Sequence, residues 1–110
     1  METINKEMVE QLKELMEEDF PLLINTYLTD SDKRLQDLSL AITEKNAKEI
    51  RELAHGFKGS SSNLGADKLA EISHSLESMG DTEQLADSAV TLEALANEYE
   101  QVNAYFKSLL

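Results

Sequence analysis

Residues 54–66 of this chain read AHGFKGSSSNLGA, and this stretch decides the fold. Two glycines and three serines follow His55 within eight positions, a composition that is typical of flexible linkers. The same stretch continues a helical pattern that places Phe57 and Leu64 on one apolar face. A flexible linker is not expected to maintain that helical period, so we predict a helix through residues 54–62. It should end near Asn63, with Gly65 in the left-handed conformation.

The composition predicts one helical domain. The chain has 110 residues with a single Pro and no Cys, and 41% of it is hydrophobic. That length predicts a single domain over residues 1–110. Without Cys, the chain forms no disulfide and no Cys-based zinc site. It has no apolar run of about 20 residues and no signal peptide, so we expect a cytoplasmic protein with no membrane span.

The net charge of the chain limits the kinds of partner that it can bind. The 22 Asp and Glu residues outnumber the 10 Lys and Arg residues, and the formal net charge is −12. A nucleic-acid binder needs cations that replace the counterions of the phosphates. We therefore predict no nucleic-acid partner and no binding to an anionic membrane. The acidity is otherwise typical of a well-solvated helical surface.

Hydrophobic periodicity predicts five helices. The first covers about residues 4–17, the second ends near residue 45, and the third follows a capping box at Asn46 and Glu49. The fourth covers about residues 66–79 and should stop at Gly80, and the fifth should follow a second capping box at Asp81 and Gln84. Short connections imply antiparallel neighbours. The predicted fold is all-α: an antiparallel up-down four-helix bundle with a short extra N-terminal helix.

His55 is predicted to face water. At about 100° per residue, it lies roughly 140° from the centre of the apolar stripe of its helix. Arg51, Lys58, Gly59 and Ser62 share its face or border it. Gly59 leaves room for a bulky partner or an anion to reach the imidazole, and Lys58 can offset negative charge there. Because an imidazole nitrogen is a nucleophile, these neighbours favour a phosphoryl group as the cargo of His55.

A metal site is one alternative. Glu52 with His55, and Glu71 with His74, both form the Glu-x-x-His pair that di-iron helix bundles use. Such ligands must project into the bundle, whereas the helical projection places all four of these residues on the outside. We therefore predict no metal ligands in this chain.

His74 is the other candidate phosphoacceptor. It has Glu77 three residues further on, at the position where His55 has Lys58. A carboxylate at that place opposes a phosphoryl group, so the sequence favours His55 and predicts that His74 is an ordinary surface residue.

The stretch around His55 resembles the signature of histidine-containing phosphotransfer (HPt) domains. That signature has the general form A-H-x-[LF]-K-G-[SA]-[SA]-x-x-[LI]-G-[AL], and the predicted helices also fit the family from about residue 4 onward. The matching residues are Ala54, His55, Phe57, Lys58, Gly59, Ser60, Ser61, Leu64, Gly65 and Ala66.

The resemblance implies a phosphoryl carrier. His55 would take a phosphoryl group from the aspartyl phosphate of a receiver domain and pass it to a second receiver. Lys58 would neutralise the phosphoryl oxygens, Gly59 would let the receiver loops approach, and Ser62 would donate a hydrogen bond. The receiver would supply Mg²⁺, so this chain would need no cofactor of its own. It would not be an enzyme, because it would have neither kinase activity nor an ATP site.

The implied partners are response-regulator receiver domains, including that of a hybrid sensor kinase. We expect docking on the exposed side of the second helix around Leu22 and Leu23, although both residues are equally compatible with the core. The chain looks like a freestanding protein. We expect a monomer, because the surface around His55 is needed for a partner. A second class of function is an adaptor that docks without transferring phosphate, but the presence of both His55 and Lys58 favours transfer.

Overall fold

Five α-helices make up the computed structural model, which describes residues 2–110. A short 3-10 turn at Glu17–Asp19 separates the first two helices. The helices are α1 (Lys6–Met16), α2 (Phe20–Thr43), α3 (Ala47–Asn63), α4 (Asp67–Thr82) and α5 (Ser88–Ser108). Helices α2 to α5 pack in sequence, α5 closes against α2, and α1 lies against α2. The predicted four-helix bundle with an extra N-terminal helix is confirmed.

The apolar faces of the helices form one core. Its largest fully buried side chains include Phe57 of α3, Phe106 of α5 and Ile24 of α2. Two edge-to-face aromatic pairs join the helices: Tyr27 with Phe106, at 5.7 Å between ring centroids, and Phe57 with Tyr99, at 6.1 Å. Phe57 thus holds the inner face of α3 against the core, and His55 and Gly59 on the outer side of that helix are exposed.

Helix α3 runs through the Gly/Ser stretch, as predicted. Its N-cap is Asn46, whose side chain accepts a hydrogen bond of 3.1 Å from the Glu49 backbone N–H. At the other end Gly65 has a φ of 78°, the left-handed conformation that glycine adopts without strain. A Cβ at Gly65 would lie 3.1 Å from the carbonyl oxygen of Asn5. The turn after α3 is therefore also the place where the N-terminal segment docks.

The predicted boundary between α4 and α5 is wrong. Helix α4 does not stop at Gly80 but continues to Thr82, and Glu83 takes the left-handed C-cap conformation with a φ of 57°. The capping box at Asp81 and Gln84 does not form, because Asp81 lies inside α4.

The reason for this glycine is packing rather than helix termination. A Cβ on Gly80 would lie 2.6 Å from both the carbonyl oxygen of Ala47 and the amide nitrogen of Arg51. At Gly80 the backbone of α3 therefore lies too close to α4 to leave room for a side chain. No helix within residues 2–110 has the length and apolarity to cross a bilayer.

Candidate functional site

His55 lies on the outer face of α3, and its side chain is 70% exposed. It borders a cleft of about 690 Å³ between α3 and α4. Both helices contribute charged and polar side chains to this cleft, namely Arg51, Glu52, His55, Lys58, His74, Glu77, Ser78 and Asp81. The expectation that His55 faces solvent on the outside of the bundle agrees with this position.

Glu77 of α4 is the centre of the site. Its Oε2 atom lies 2.6 Å from Nδ1 of His55, and its Oε1 atom lies 2.5 Å from Nζ of Lys58. The same Oε1 is 3.3 Å from Nδ1 of His74. The side chain of Glu77 is only 17% exposed, so it is held between the two helices. One carboxylate thus contacts three donor groups.

These contacts lower the pKa of Glu77 to about 2. The hydrogen bond from Lys58 is the largest cause, and the bonds from His55 and His74 act in the same direction, against the effect of partial burial. Glu77 is therefore ionised at neutral pH and can only accept hydrogen bonds. The hydrogen bond from His55 then requires a proton on Nδ1, and this tautomer leaves Nε2 with a free lone pair.

The sequence argument that separated His55 from His74 does not hold in three dimensions. The sequence places Glu77 beside His74, but in the structure its carboxylate contacts both histidines and Lys58. The residue three positions along the same helix does not by itself define the surroundings of a histidine, because the packing of α3 on α4 brings in residues from the other helix. The two histidines differ instead in the surface beside them, where His55 has Gly59.

Gly59 leaves a bare surface one turn after His55. Apart from its own chain neighbours and the backbone of α3, no atom of residues 2–110 lies within 4 Å of the Cβ that another residue would carry there. Ser62, one turn further on, is exposed. Arg51, one turn before His55, borders the cleft with its side chain 45% exposed and its guanidinium 3.9 Å from Glu52. The predicted site residues therefore lie along one strip of α3.

A second groove, between α2 and α3, contains Leu23, Arg34 and Ser60 in its lining. The Arg34 guanidinium lies 3.3 Å from the Ser60 hydroxyl and packs over Gly56. Leu22, which precedes the groove residue Leu23 in the sequence, is 68% exposed, whereas Leu23 is partly buried against the core. Of the two alternatives for these leucines, Leu22 lies on the exposed surface and Leu23 packs against the core.

The di-iron alternative finds no support in the arrangement of its four residues. All four side chains are exposed, and Glu71 borders a separate depression with Lys68, Ile72 and Ser75 rather than the cleft of His55. Across residues 2–110, no group of three or more His, Cys, Asp or Glu side chains is arranged to hold a metal ion.

Glu77 is the residue that sequence reasoning missed as a partner of His55. A signal was present: residues 55 and 77 lie at similar distances from the turn that joins α3 and α4, so an antiparallel pair brings them to similar heights. The lateral position of Glu77 still depends on how closely the helices pack.

The chain belongs to the Hpt domain family, whose family model matches residues 22–105. It is accordingly a phosphorelay protein of two-component signalling, in which a histidine carries a phosphoryl group between receiver domains. Proteins of this class are carriers rather than kinases, and they have no cofactor of their own.

Individual relatives resemble the chain over nearly its whole length. It is 26% identical to the phosphorelay protein LuxU of Vibrio cholerae, over 99% of this chain and 97% of that protein. It is 24% identical to LuxU of Vibrio harveyi, over 94% and 93% of the two chains. The crystal structure of histidine-containing phosphotransfer protein B (HptB) from Pseudomonas aeruginosa superimposes with a TM-score of 0.94. That protein is 33% identical, and the match covers 96% of this chain and 92% of the other.

Proposed function

We propose that His55 is the phosphoacceptor of this phosphorelay protein and that Nε2 is the reacting atom. The observation that carries the proposal is the hydrogen bond of 2.6 Å between Nδ1 of the exposed His55 and the ionised Glu77. It keeps the proton on Nδ1 and points the lone pair of Nε2 toward solvent. In transfer, the Nε2–P bond forms while the bond between phosphorus and the aspartyl oxygen of the receiver breaks, and an aspartate carboxylate leaves.

Lys58 is the proposed counter-ion of the phosphoryl group. Its ammonium group is bound to Glu77, and its side chain is 32% exposed, so it can turn toward a group attached to Nε2. Arg51 and Ser62 border His55 from either side along α3, and we assign them weaker roles as a second cation and a hydrogen-bond donor. The receiver contributes the Mg²⁺ and the aspartate. Transfer then depends on positioning and charge neutralisation.

Gly59 is the proposed point of contact between this chain and the receiver domain. The open space beside it lets the partner backbone approach the imidazole, where any side chain would stand in the way. The groove between α2 and α3 includes Leu23 and Ser60 in its lining, and Ser60 follows Gly59 in the sequence. We propose this groove as the docking surface, together with the exposed Leu22 that precedes Leu23 on α2. We assign this surface to receiver domains in general, including the receiver of a hybrid sensor kinase.

The same role also bears on the domain organisation, the oligomeric state and the location of the chain. We propose that the chain acts as one domain over residues 1–110, as a monomer, in the cytoplasm. A monomer keeps the His55 face free for successive receivers.

A phosphotransfer assay tests the proposal. Wild type, His55→Gln and His74→Gln are each mixed with a receiver domain phosphorylated on its aspartate, with Mg²⁺ present. His74→Gln is the matched control, because His74 shares the Glu77 carboxylate with His55. We expect an acid-labile, base-stable label on wild type and on His74→Gln, and none on His55→Gln. Label on His55→Gln but not on His74→Gln would instead make His74 the acceptor. Binding of the phosphorylated receiver without label on wild type would indicate an adaptor.

A further inference from the structure

We infer that Gly80 is a positioning residue for phosphotransfer, because it lets α4 approach α3 closely enough for Glu77 to hold His55. This inference rests on the proposed role of His55. Gly80 is buried, although it lies two residues before the C-terminal end of α4. Glycine is a much weaker helix former than alanine, so its presence within α4 calls for a reason.

The reason is the lack of space between the two backbones. A Cβ at Gly80 would lie 2.6 Å from the carbonyl oxygen of Ala47, 2.6 Å from the amide nitrogen of Arg51 and 2.9 Å from the Cβ of Arg51. Neighbouring backbone atoms cannot rotate away as the end of a long side chain can. A methyl group at Gly80 therefore forces the two helices apart or shifts one along the other.

The contact at Gly80 and the contact at His55 are one helical turn apart. Glu77 precedes Gly80 by three residues on α4, so the two share a face. His55 follows Arg51 by four residues on α3, so these two also share a face. Since the helices are antiparallel, the Gly80–Arg51 contact sets the helix separation at the place where Glu77 meets His55.

The hydrogen bond between Glu77 and His55 tolerates little displacement. Its length is 2.6 Å, and a shift of about 1 Å takes the two atoms beyond hydrogen-bond distance. Once that bond is lost, nothing holds the proton on Nδ1, and the Nε2–H tautomer, which is not nucleophilic at Nε2, becomes populated. Gly80 thus acts on the reacting atom through Glu77.

The first test reads the tautomer of His55 and needs no phosphate. Two-dimensional ¹⁵N NMR is recorded for wild type, Gly80→Ala and the matched control Gly56→Ala. The atom nearest to a Cβ at position 56 belongs to the flexible Arg34 side chain, at 3.4 Å. We expect the Nδ1–H form of His55 in wild type and Gly56→Ala, and a large share of Nε2–H in Gly80→Ala. An unchanged tautomer in a folded Gly80→Ala protein overturns the inference, whatever the wild-type phosphotransfer assay gives.

The second test separates positioning from simple destabilisation. Transfer from a phosphorylated receiver to His55 is measured for Gly80→Ala, Glu77→Ala and the double variant. We expect Gly80→Ala to slow transfer about tenfold or more in the wild-type background and to have little further effect when Glu77 is absent. An equal slowing in both backgrounds contradicts the inference. If Gly80→Ala does not fold in buffer, all variants are compared in trimethylamine N-oxide, which favours the folded state.

Discussion

The Lys58 ammonium is bound to the Glu77 carboxylate of the neighbouring helix, so the cation proposed to meet the phosphoryl group already has an anionic partner. The same carboxylate accepts a hydrogen bond from His55. A phosphoryl group on Nε2 brings new negative charge beside Glu77, and it must compete with Glu77 for Lys58. The proposed transfer to Nε2 therefore requires Lys58 to weaken its contact with Glu77.

Lys58→Ala is expected to slow transfer to His55 by about tenfold to a hundredfold, because it removes the cation proposed to neutralise the transferring group. The measurement is the single-turnover rate of label transfer from a phosphorylated receiver. Lys33→Ala serves as the control, since Lys33 is a 77% exposed lysine that pairs with Asp37 of its own helix α2, away from Glu77. A normal rate in Lys58→Ala would remove Lys58 from the mechanism.

Gly59→Gln is expected to leave the free energy of unfolding unchanged or to raise it by about 0.5–1 kcal/mol. Glutamine is a better helix former than glycine, and nothing within 4 Å opposes its Cβ. The same change should slow transfer, because the side chain occupies the approach route of the receiver. Thermal unfolding by circular dichroism and the transfer assay are measured on the same sample. Wild-type transfer in this variant would disprove the close-approach role of Gly59.

Acid should abolish the stabilising effect of Glu77. Its pKa falls from 4.5 to about 2 on folding, so the contribution is complete above pH 4.5 and is lost as the pH falls toward 2. We expect wild type to exceed Glu77→Gln in stability by on the order of 1 kcal/mol at pH 6, since a pair near the surface is screened by solvent.

Urea unfolding of the two proteins between pH 6 and pH 2 measures that difference. At pH 2 the carboxyl group of Glu77 is neutral in the unfolded chain and about half protonated in the folded protein, so most of the difference from Glu77→Gln should be gone. A difference that stays constant over the whole range would mean that the charge of Glu77 does not stabilise the fold.

The buried hydroxyl groups of Tyr27 and Ser61, 2.8 Å apart, should be energetically coupled. Tyr27 is buried in the core, and this burial raises its pKa to about 12. We expect Tyr27→Phe and Ser61→Ala each to lower stability by about 1–2 kcal/mol, because each leaves a buried hydroxyl without this partner. In the double variant, the combined cost should fall short of the sum by about 1 kcal/mol. Strict additivity in chemical unfolding would show that this hydrogen bond contributes nothing.

The sequence determined the fold class and most of the strip around His55. Apolar spacing at steps of three and four continues through the Gly/Ser stretch, and helix α3 forms there as predicted. The side of α3 on which His55 lies follows from the same spacing, because helix geometry is local. Gly65 was also predictable, since a left-handed residue after a helix favours glycine.

What the sequence left undecided involves contacts between α3 and α4. Gly80 was predicted to end a helix, since a glycine after an apolar stripe has the same local pattern as a C-cap. Only the backbone of α3 passing beside it shows why a side chain is excluded there. Glu77 was assigned to His74 because the two are neighbours along one helix, whereas the closer partner of its carboxylate is His55 on the other helix. Residues distant in the chain meet according to helix separation and register, which depend on the packing of the whole bundle.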